Sequence, residues 1–423
     1  MLQVFGPNIA ASEGEAWRTQ RKVITRSFNE QNNEIVWNES LTLSSDMVDY
    51  WVKQGPVENS DEDLRTLSLN ILSRAGFGKS AKFVGHKDSI LSDSRSGSTY
   101  KDSLKHVLEN LVLILALGPK TLETLSRYWL PASLRKVHEA VVTFQSLMTE
   151  MYEQEKSRAG SEVVDNNLMT QFVRASQGGP GTQGTMTERE IYGNLFTVNF
   201  AGHDTTSHTF TYAVYFLAAH PEVQEWLAEE VNGVLQGRDA TELDYKTDFP
   251  KLKRCLAVML ECLRLYTPVP PSKWTGDKAQ SLTVGDRTIN MPPETMVMAA
   301  YGAVMTDPRW WGPDGLDWRP SRWIRQKNDG LEDIDMHQRG AFIGWSEGTR
   351  DCPGKKFSQA EFVATMAVLF SKWRVEPVKM PGESAEEARK RVIKLIEDES
   401  GYVLLLQMLH PERAPLVWTR VDS

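Results

Sequence analysis

The run from Thr187 to Ala219, "TEREIYGNLFTVNFAGHDTTSHTFTYAVYFLAA", contains no proline and restricts the fold more than any other stretch of the chain. Thr187 with Glu190 three residues later is a capping box, which marks a helix start by satisfying otherwise unpaired backbone N–H groups. A helix this long crosses the whole body of a domain, so the other elements have to pack around it.

Those other elements also read as helices. Residues 13–175 are mostly helical segments with short polar breaks. Among them "LKHVLENLVLILALG" (104–118) carries an apolar stripe suited to core packing and stops at Gly118-Pro119. "SQGGPGTQGTM" (176–186) reads as a Gly-rich loop. Further helices are expected over 220–235, where Pro221 suits the first turn, and over 252–266. Strand-like pattern begins only after Pro268, in "SLTVGDRTINMPPETMVMAA" (281–300). The predicted class is mainly α with a small β portion, in a single domain over 1–423.

Charge and cysteine usage narrow the function. A formal net charge of −8 argues against a general nucleic-acid binder. Three cysteines, Cys255, Cys262 and Cys352, give no disulfide framework. The first residues lack a signal-peptide pattern, and the longest apolar run, 111–117, is too short to span a bilayer.

The stretch "FIGWSEGTRDCPGKKF" (342–357) carries two competing chemistries. "GWSEG" matches the G-x-S-x-G elbow of a serine hydrolase, with Ser346 as nucleophile. The residues after it, "EGTRDCPG", suit an extended loop rather than the immediate helix an elbow needs. The one histidine downstream is His410, and no Gly-rich oxyanion segment occurs. The second chemistry is a sulfur ligand. Cys352 is expected at the start of an amphipathic helix with Pro353 at its first position, where helix dipole, Arg350, Lys355 and Lys356 would favour a thiolate. Gly348 and Gly354 would let the backbone approach a flat ligand.

The stretch 345–354 resembles the heme-binding loop of the cytochrome P450 family, F-x-x-G-x-R-x-C-x-G. Four further stretches resemble family motifs in the family's order. They are Trp17 and Arg21 in W-x-x-x-R, "AGHDTT" (201–206), Glu261 and Arg264 in "ECLR", and "RPSRW" (319–323). Trp345 stands where the family usually has Phe, and Asp351 adds a negative charge beside the cysteine.

The resemblance implies the cytochrome P450 fold and a heme-thiolate monooxygenase with heme b. Cys352 would be the axial iron ligand, with Trp17, Arg21, Arg350 and Lys273 serving the heme propionates. Gly202 would leave room for dioxygen over the heme, and Asp204 and Thr205 would relay protons during oxygen activation. Glu261, Arg264 and Arg322 would form a buried structural charge cluster, while His203 and His208 are given no role. Cys255 and Cys262 read as small core residues. Electrons would come from NADPH through a separate NADPH-cytochrome reductase flavoprotein, with cytochrome b5 as a further donor, docking on a basic face at Arg350, Lys355 and Lys356. The substrate would be a small, mostly apolar organic molecule, and the C-terminal wording resembles fungal members of secondary metabolism. Peroxide-using or isomerising members are the alternative chemistry, against which the Asp204–Thr205 pair stands. Family members carry a longer stretch, with anchor and strands, before the W-x-x-x-R helix. A chain truncated there is expected to hold heme poorly. By resemblance the location is the cytosolic face of the endoplasmic reticulum membrane, with no anchor in this chain.

Overall fold

The computed structural model describes residues 3–86, 100–118, 121, 123–124, 131–158, 167–178, 184–336 and 340–421. Its frame is helical: α1 (Gly14–Thr25), α2 (Glu30–Gln54), α3 (Ser60–Phe77), α4 (Tyr100–Glu109), α5 (Leu111–Leu117), α6 (Ala132–Arg158) and α7 (Leu168–Gln177) precede the long central helix α8 (Glu188–Ala219). After it come α9 (Pro221–Leu235), α10 (Lys253–Leu265), α11 (Lys355–Lys372) and α12 (Ala385–Asp398).

The central helix begins as its sequence requires. Thr187 accepts from the Glu190 N–H while the Glu190 carboxylate accepts from the Thr187 N–H. It is buried on nearly all sides, packed along α3, α12 and α10. A buried helix so rich in Thr and Asn needs internal partners for its polar atoms. Thr197, Thr209 and Thr211 meet that need by donating to the carbonyl four residues back. Stacked rings lock it to its neighbours: Phe210 on Phe362 of α11 at 4.9 Å and Tyr212 on Tyr266 at 4.3 Å. Gly193 lets the N-terminal segment cross the helix closely, since a Cβ there would overlap the carbonyl oxygens of Gly6 and Pro7. That crossing carries the chain to Ser12 and the start of α1.

The strands are short: β1 (Ser272–Trp274), β2 (Gln280–Val284), β3 (Arg287–Met291), β4 (Met296–Met298), β5 (Ile324–Gln326), β6 (Glu332–Ile334), β7 (Trp373–Pro377), β8 (Ser400–Tyr402), β9 (Leu406–Met408) and β10 (Leu416–Arg420). Among the described residues they form antiparallel pairs only, β1 with β4, β2 with β3, β5 with β6, β7 with β10 and β8 with β9. The mainly helical class and the strands within 281–300 are as expected.

Two local expectations change. The 104–118 segment is not one helix but breaks at Asn110, and its apolar stripe is split: Leu111 and Ile114 are buried, but Val112 is 68% exposed. Helix α11 starts at Lys355 with Gly354 as its cap residue, so Pro353 and Cys352 precede the helix instead of opening it. Within the 176–186 loop, Ser176 and Gln177 finish α7, and residues 179–183 lie outside the described residues, as does Pro119. No described helix is long and apolar enough to cross a membrane.

Candidate functional site

A cavity of about 970 Å³ lies between the middle of α8, α1, the β1 segment and the loop that carries Cys352. The loop is shaped by its backbone. Cys352 N donates to Trp345 O at 2.9 Å, and Asp351 N donates to Gly348 O at 3.2 Å, which folds the chain into a tight bend. Gly348 holds φ +88°, a left-handed backbone that favours glycine, and open space lies where a Cβ would stand. Gly354 does face the cavity, where a Cβ would sit 3.8 Å from Cys352 Sγ and 3.6 Å from Phe28.

Cys352 is the one exposed cysteine; Cys255 and Cys262 are buried, and burial pushes their thiols up. Enclosure by protein pushes the Cys352 thiol up as well, against the pull of the Gly354 N–H, Arg21 and Lys355. Helix α11 begins three residues on, at Lys355, so its dipole acts on the sulfur from farther away than it would on a cysteine at the first helical position.

Three cations reach the cavity, each already held. Arg350 lies with its guanidinium 4.6 Å over the Trp17 ring and donates to Ser12 O at 2.9 Å. Lys273 Nζ donates to Ser346 Oγ at 3.3 Å, and its pKa is lowered by burial and by Arg350. Arg21 donates to Asp351 O at 2.6 Å and to Asp351 Oδ1 at 2.7 Å. Arg21 spends two of its guanidinium N–H groups in this way and still lines the cavity, and Arg350 faces the same cavity, which corrects only the expectation that Arg350 belongs to an exposed docking face. Lys355 and Lys356 remain exposed, lying over Trp345 at 5.4 Å and Phe249 at 4.2 Å. Trp345 also donates from Nε1 to Ser358 Oγ at 3.1 Å, tying the loop to α11.

The central helix presents different residues on its two faces. Gly202 and Thr205 line the cavity, with the Thr205 hydroxyl donating to Ala201 O at 2.7 Å. A Cβ on Gly202 would crowd Leu72 at 3.1 Å. Asp204 points the other way, into a second cavity of about 340 Å³ shared with His203 and His208. Its Oδ1 lies 3.1 Å from Arg65 Nε of α3. Burial would raise the Asp204 pKa, but His203, Arg65 and His208 together hold it below the usual value. Burial pushes His208 down to about 4, so its ring is neutral at pH 7. Asp204 and Thr205 thus face different cavities.

The expected charge cluster is present and complete. Glu261 accepts from Arg264 Nε and Nη2 at 2.8 Å each and from Arg322 Nε at 2.8 Å. It also accepts from Arg319 N at 2.8 Å and Trp323 Nε1 at 2.9 Å. The remaining guanidinium N–H groups donate to carbonyls of 305–317, which fixes the segment leading towards the Cys352 loop. Trp323 belongs to "RPSRW", which marks its position but not its bond to Glu261, and Arg65 had no sequence signal.

Ser346 meets Lys273, and His410 contacts Glu412, so among the described residues no histidine is seen to activate the serine. The hydrolase reading finds no support in this geometry.

Comparison with known proteins agrees with the site. A family model described as Cytochrome P450 matches residues 3–401. A cytochrome P450 monooxygenase of Arthrobotrys oligospora is 28% identical over 99% of this chain and 77% of its own length. A cytochrome P450 monooxygenase of the phomenoic acid biosynthesis cluster of Leptosphaeria maculans is 27% identical over 92% of this chain and 71% of its own. Among solved structures, a cytochrome P450 crystal structure superposes with a TM-score of 0.74 at 19% identity, covering 99% of this chain and 86% of that one.

Proposed function

Because this chain belongs to the cytochrome P450 family of monooxygenases, we propose that it uses a heme held by Cys352 to oxidise a small, mostly apolar organic molecule in fungal secondary metabolism. The observation that carries this reading is Cys352 itself, the one cysteine whose side chain reaches a large cavity. The donor set fits a flat group bearing carboxylates. Arg350, Lys273 and Trp17 stand at one margin, Phe28 and Leu72 give apolar walls, and Gly354 keeps space beside the sulfur.

Heme, when bound, supplies the activation of dioxygen. The protein's part is to ligate, orient and exclude water. Cys352 would supply the thiolate, and Arg350, braced on Trp17, would aim its remaining N–H donors at a carboxylate. Ile24, Leu72 and Val198 exclude water from the cavity. Thr205 keeps its hydroxyl proton on Ala201 O and turns its oxygen lone pairs to the cavity, where they can accept a proton donor. Asp204 lies against Arg65 of α3 and faces the second cavity, so its part in proton delivery would run from that side of the helix.

Electrons would come from NADPH through a separate reductase docking near Lys355 and Lys356. By family resemblance the site of action is the cytosolic face of the endoplasmic reticulum membrane, which fractionation of expressing cells would check. The deciding experiment is the spectrum of the reduced, CO-bound protein. A red-shifted Soret band of thiolate ligation is expected, lost in Cys352→Ala and kept in Ser346→Ala. A normal band in Cys352→Ala would sink the reading.

A further inference from the structure

A proton donor at Asp204 needs a supply, because the carboxylate there is anionic at neutral pH. Burial would raise its pKa, but His203, Arg65 and His208 together hold it below the usual value. Each proton it passes on must first reach it from elsewhere. Asp204 and His203 both line the second cavity of about 340 Å³, a polar-walled space with room for several waters. The other titratable groups there are Asp61, Glu62 and Arg65 of α3, Lys105 and Glu109 of α4, and His208 of α8. Lys105 lies against Glu62 at 2.9 Å, and burial pushes His208 down to about 4, so its ring stays neutral.

The ring of His203 is only 3% exposed, and its direction is fixed by the helix itself. Its Nδ1 lies against the carbonyl oxygen of Asn199, one turn back on α8. A carbonyl oxygen only accepts, so Nδ1 carries the hydrogen, and in the neutral ring Nε2 is a bare acceptor. That Nε2 lies 3.8 Å from Asp204 Oδ1. Among the described residues Oδ1 accepts no hydrogen bond, although Arg65 Nε is 3.1 Å away. A side-chain shift of about 1 Å brings nitrogen and oxygen to hydrogen-bond distance, and a proton between them satisfies both.

We propose that His203 and Asp204 form an imidazole–carboxylate couple that takes up protons from the second cavity and stores one for delivery. Solvent acid in the cavity gives a proton to Nε2, forming an N–H bond. The proton then moves from Nε2 to Oδ1, forming an O–H bond and returning the ring to neutral with its hydrogen on Nδ1. The net change is one proton from solvent to Asp204, with no electron moved. This rests on the reading of the chain as a monooxygenase, which consumes protons at each turnover. His203 acts through Asp204 and is a positioning residue.

The test uses purified holoprotein as wild type, His203→Gln, Asp204→Asn and the double variant, each checked first for the CO band. Oxygen consumption driven by NADPH and excess flavoprotein reductase, with 7-ethoxycoumarin as the apolar probe, is followed across the neutral pH range. His203→Gln is expected to lower the rate about tenfold at neutral pH and to move its fall with rising pH about one unit lower. On the Asp204→Asn background the same change is expected to add nothing, because His203 acts only through that carboxylate. An unchanged rate in His203→Gln overturns the proposal. So does a uniform loss with an unshifted pH profile, the mark of a packing defect, or a loss that persists on the Asp204→Asn background. A second readout needs no turnover: nitrogen NMR of the histidine-labelled protein shows which ring nitrogen of His203 carries hydrogen. The His203 signals are those lost in His203→Gln or, should that variant fail to fold, in His203→Tyr. Hydrogen on Nδ1 is expected, with the Nε2 signal moved towards the bare form by Asp204→Asn at fixed neutral pH. A neutral ring with hydrogen on Nε2, or an Nε2 indifferent to Asp204→Asn, overturns the proposal. A wild type without the thiolate band refutes the monooxygenase reading instead, and the NMR arm then judges the couple by itself.

Discussion

Glu261 on α10 and Glu361 on α11 are both fully shielded from solvent, and the protein handles them in opposite ways. Around Glu261, two arginines, an indole N–H and a backbone N–H converge on one carboxylate. Around Glu361, neither oxygen finds a hydrogen-bond partner among the described residues. Burial pushes its carboxyl up to about 8, with the Ser68 hydroxyl opposing. The first region buries charge and satisfies all of it, which fixes where the chain around 305–323 must lie. The second, between α11 and α3, avoids charge by keeping the proton on the acid at neutral pH. A buried carboxyl is thus a rigid anchor or a neutral filler according to the donors that surround it.

The contrast breaks most visibly at Glu261. Glu261→Gln leaves Arg264 and Arg322 buried without their anion and is expected to cost about 3–5 kcal/mol, read from urea unfolding midpoints. Glu361→Gln is expected to stabilise instead. Equal losses in the two variants would erase the distinction.

The pH dependence sharpens it. The folded chain holds the Glu361 proton up to about pH 8, whereas the unfolded chain releases it near the ordinary value of 4.5. Between those values the folded state binds more protons, so this group's contribution falls as pH rises and levels off above about 8. Glu361→Gln removes that slope, which is at most about 1.4 kcal/mol per pH unit. Unfolding curves at several pH values across that window check it; a parallel slope in the variant would show that another group titrates there.

Smaller effects probe the single donors. Trp323→Phe deletes the indole bond to Glu261 and is expected to cost about 2 kcal/mol, since bonds to charged groups exceed neutral ones. Ser68→Ala removes the hydroxyl that opposes the rise at Glu361. A change under about 1 kcal/mol is expected, with the sloping pH window extended slightly upward.

How much of this was readable beforehand follows from distance along the chain. Glu261 and Arg264 are three apart on one helix, and Arg322 and Trp323 sit in one short motif, so the cluster was legible apart from the indole's role. Glu361 is an ordinary residue on a helix, and nothing local reveals that, among the described residues, no cation faces it. That Asp204 and Thr205 face different cavities was not legible locally, since the consecutive residues His203 and Asp204 share one. That Asp204 instead meets Arg65 required the packing of α3 along α8.

The sequence by itself determined the helical class, the capped start at Thr187, the uninterrupted central helix and the identity of the cysteine. Each depends on periodicity, caps or a contiguous loop, which are short-range properties of the chain. The tertiary structure alone decided which charge meets which. It gave Arg21 to Asp351, Arg65 to Asp204 and Arg350 to Trp17, and among the described residues it set no cation against Glu361. A side chain's charge is written in the sequence, but its free energy depends on what lies within a few ångströms in space. For these residues those neighbours come from distant parts of the chain.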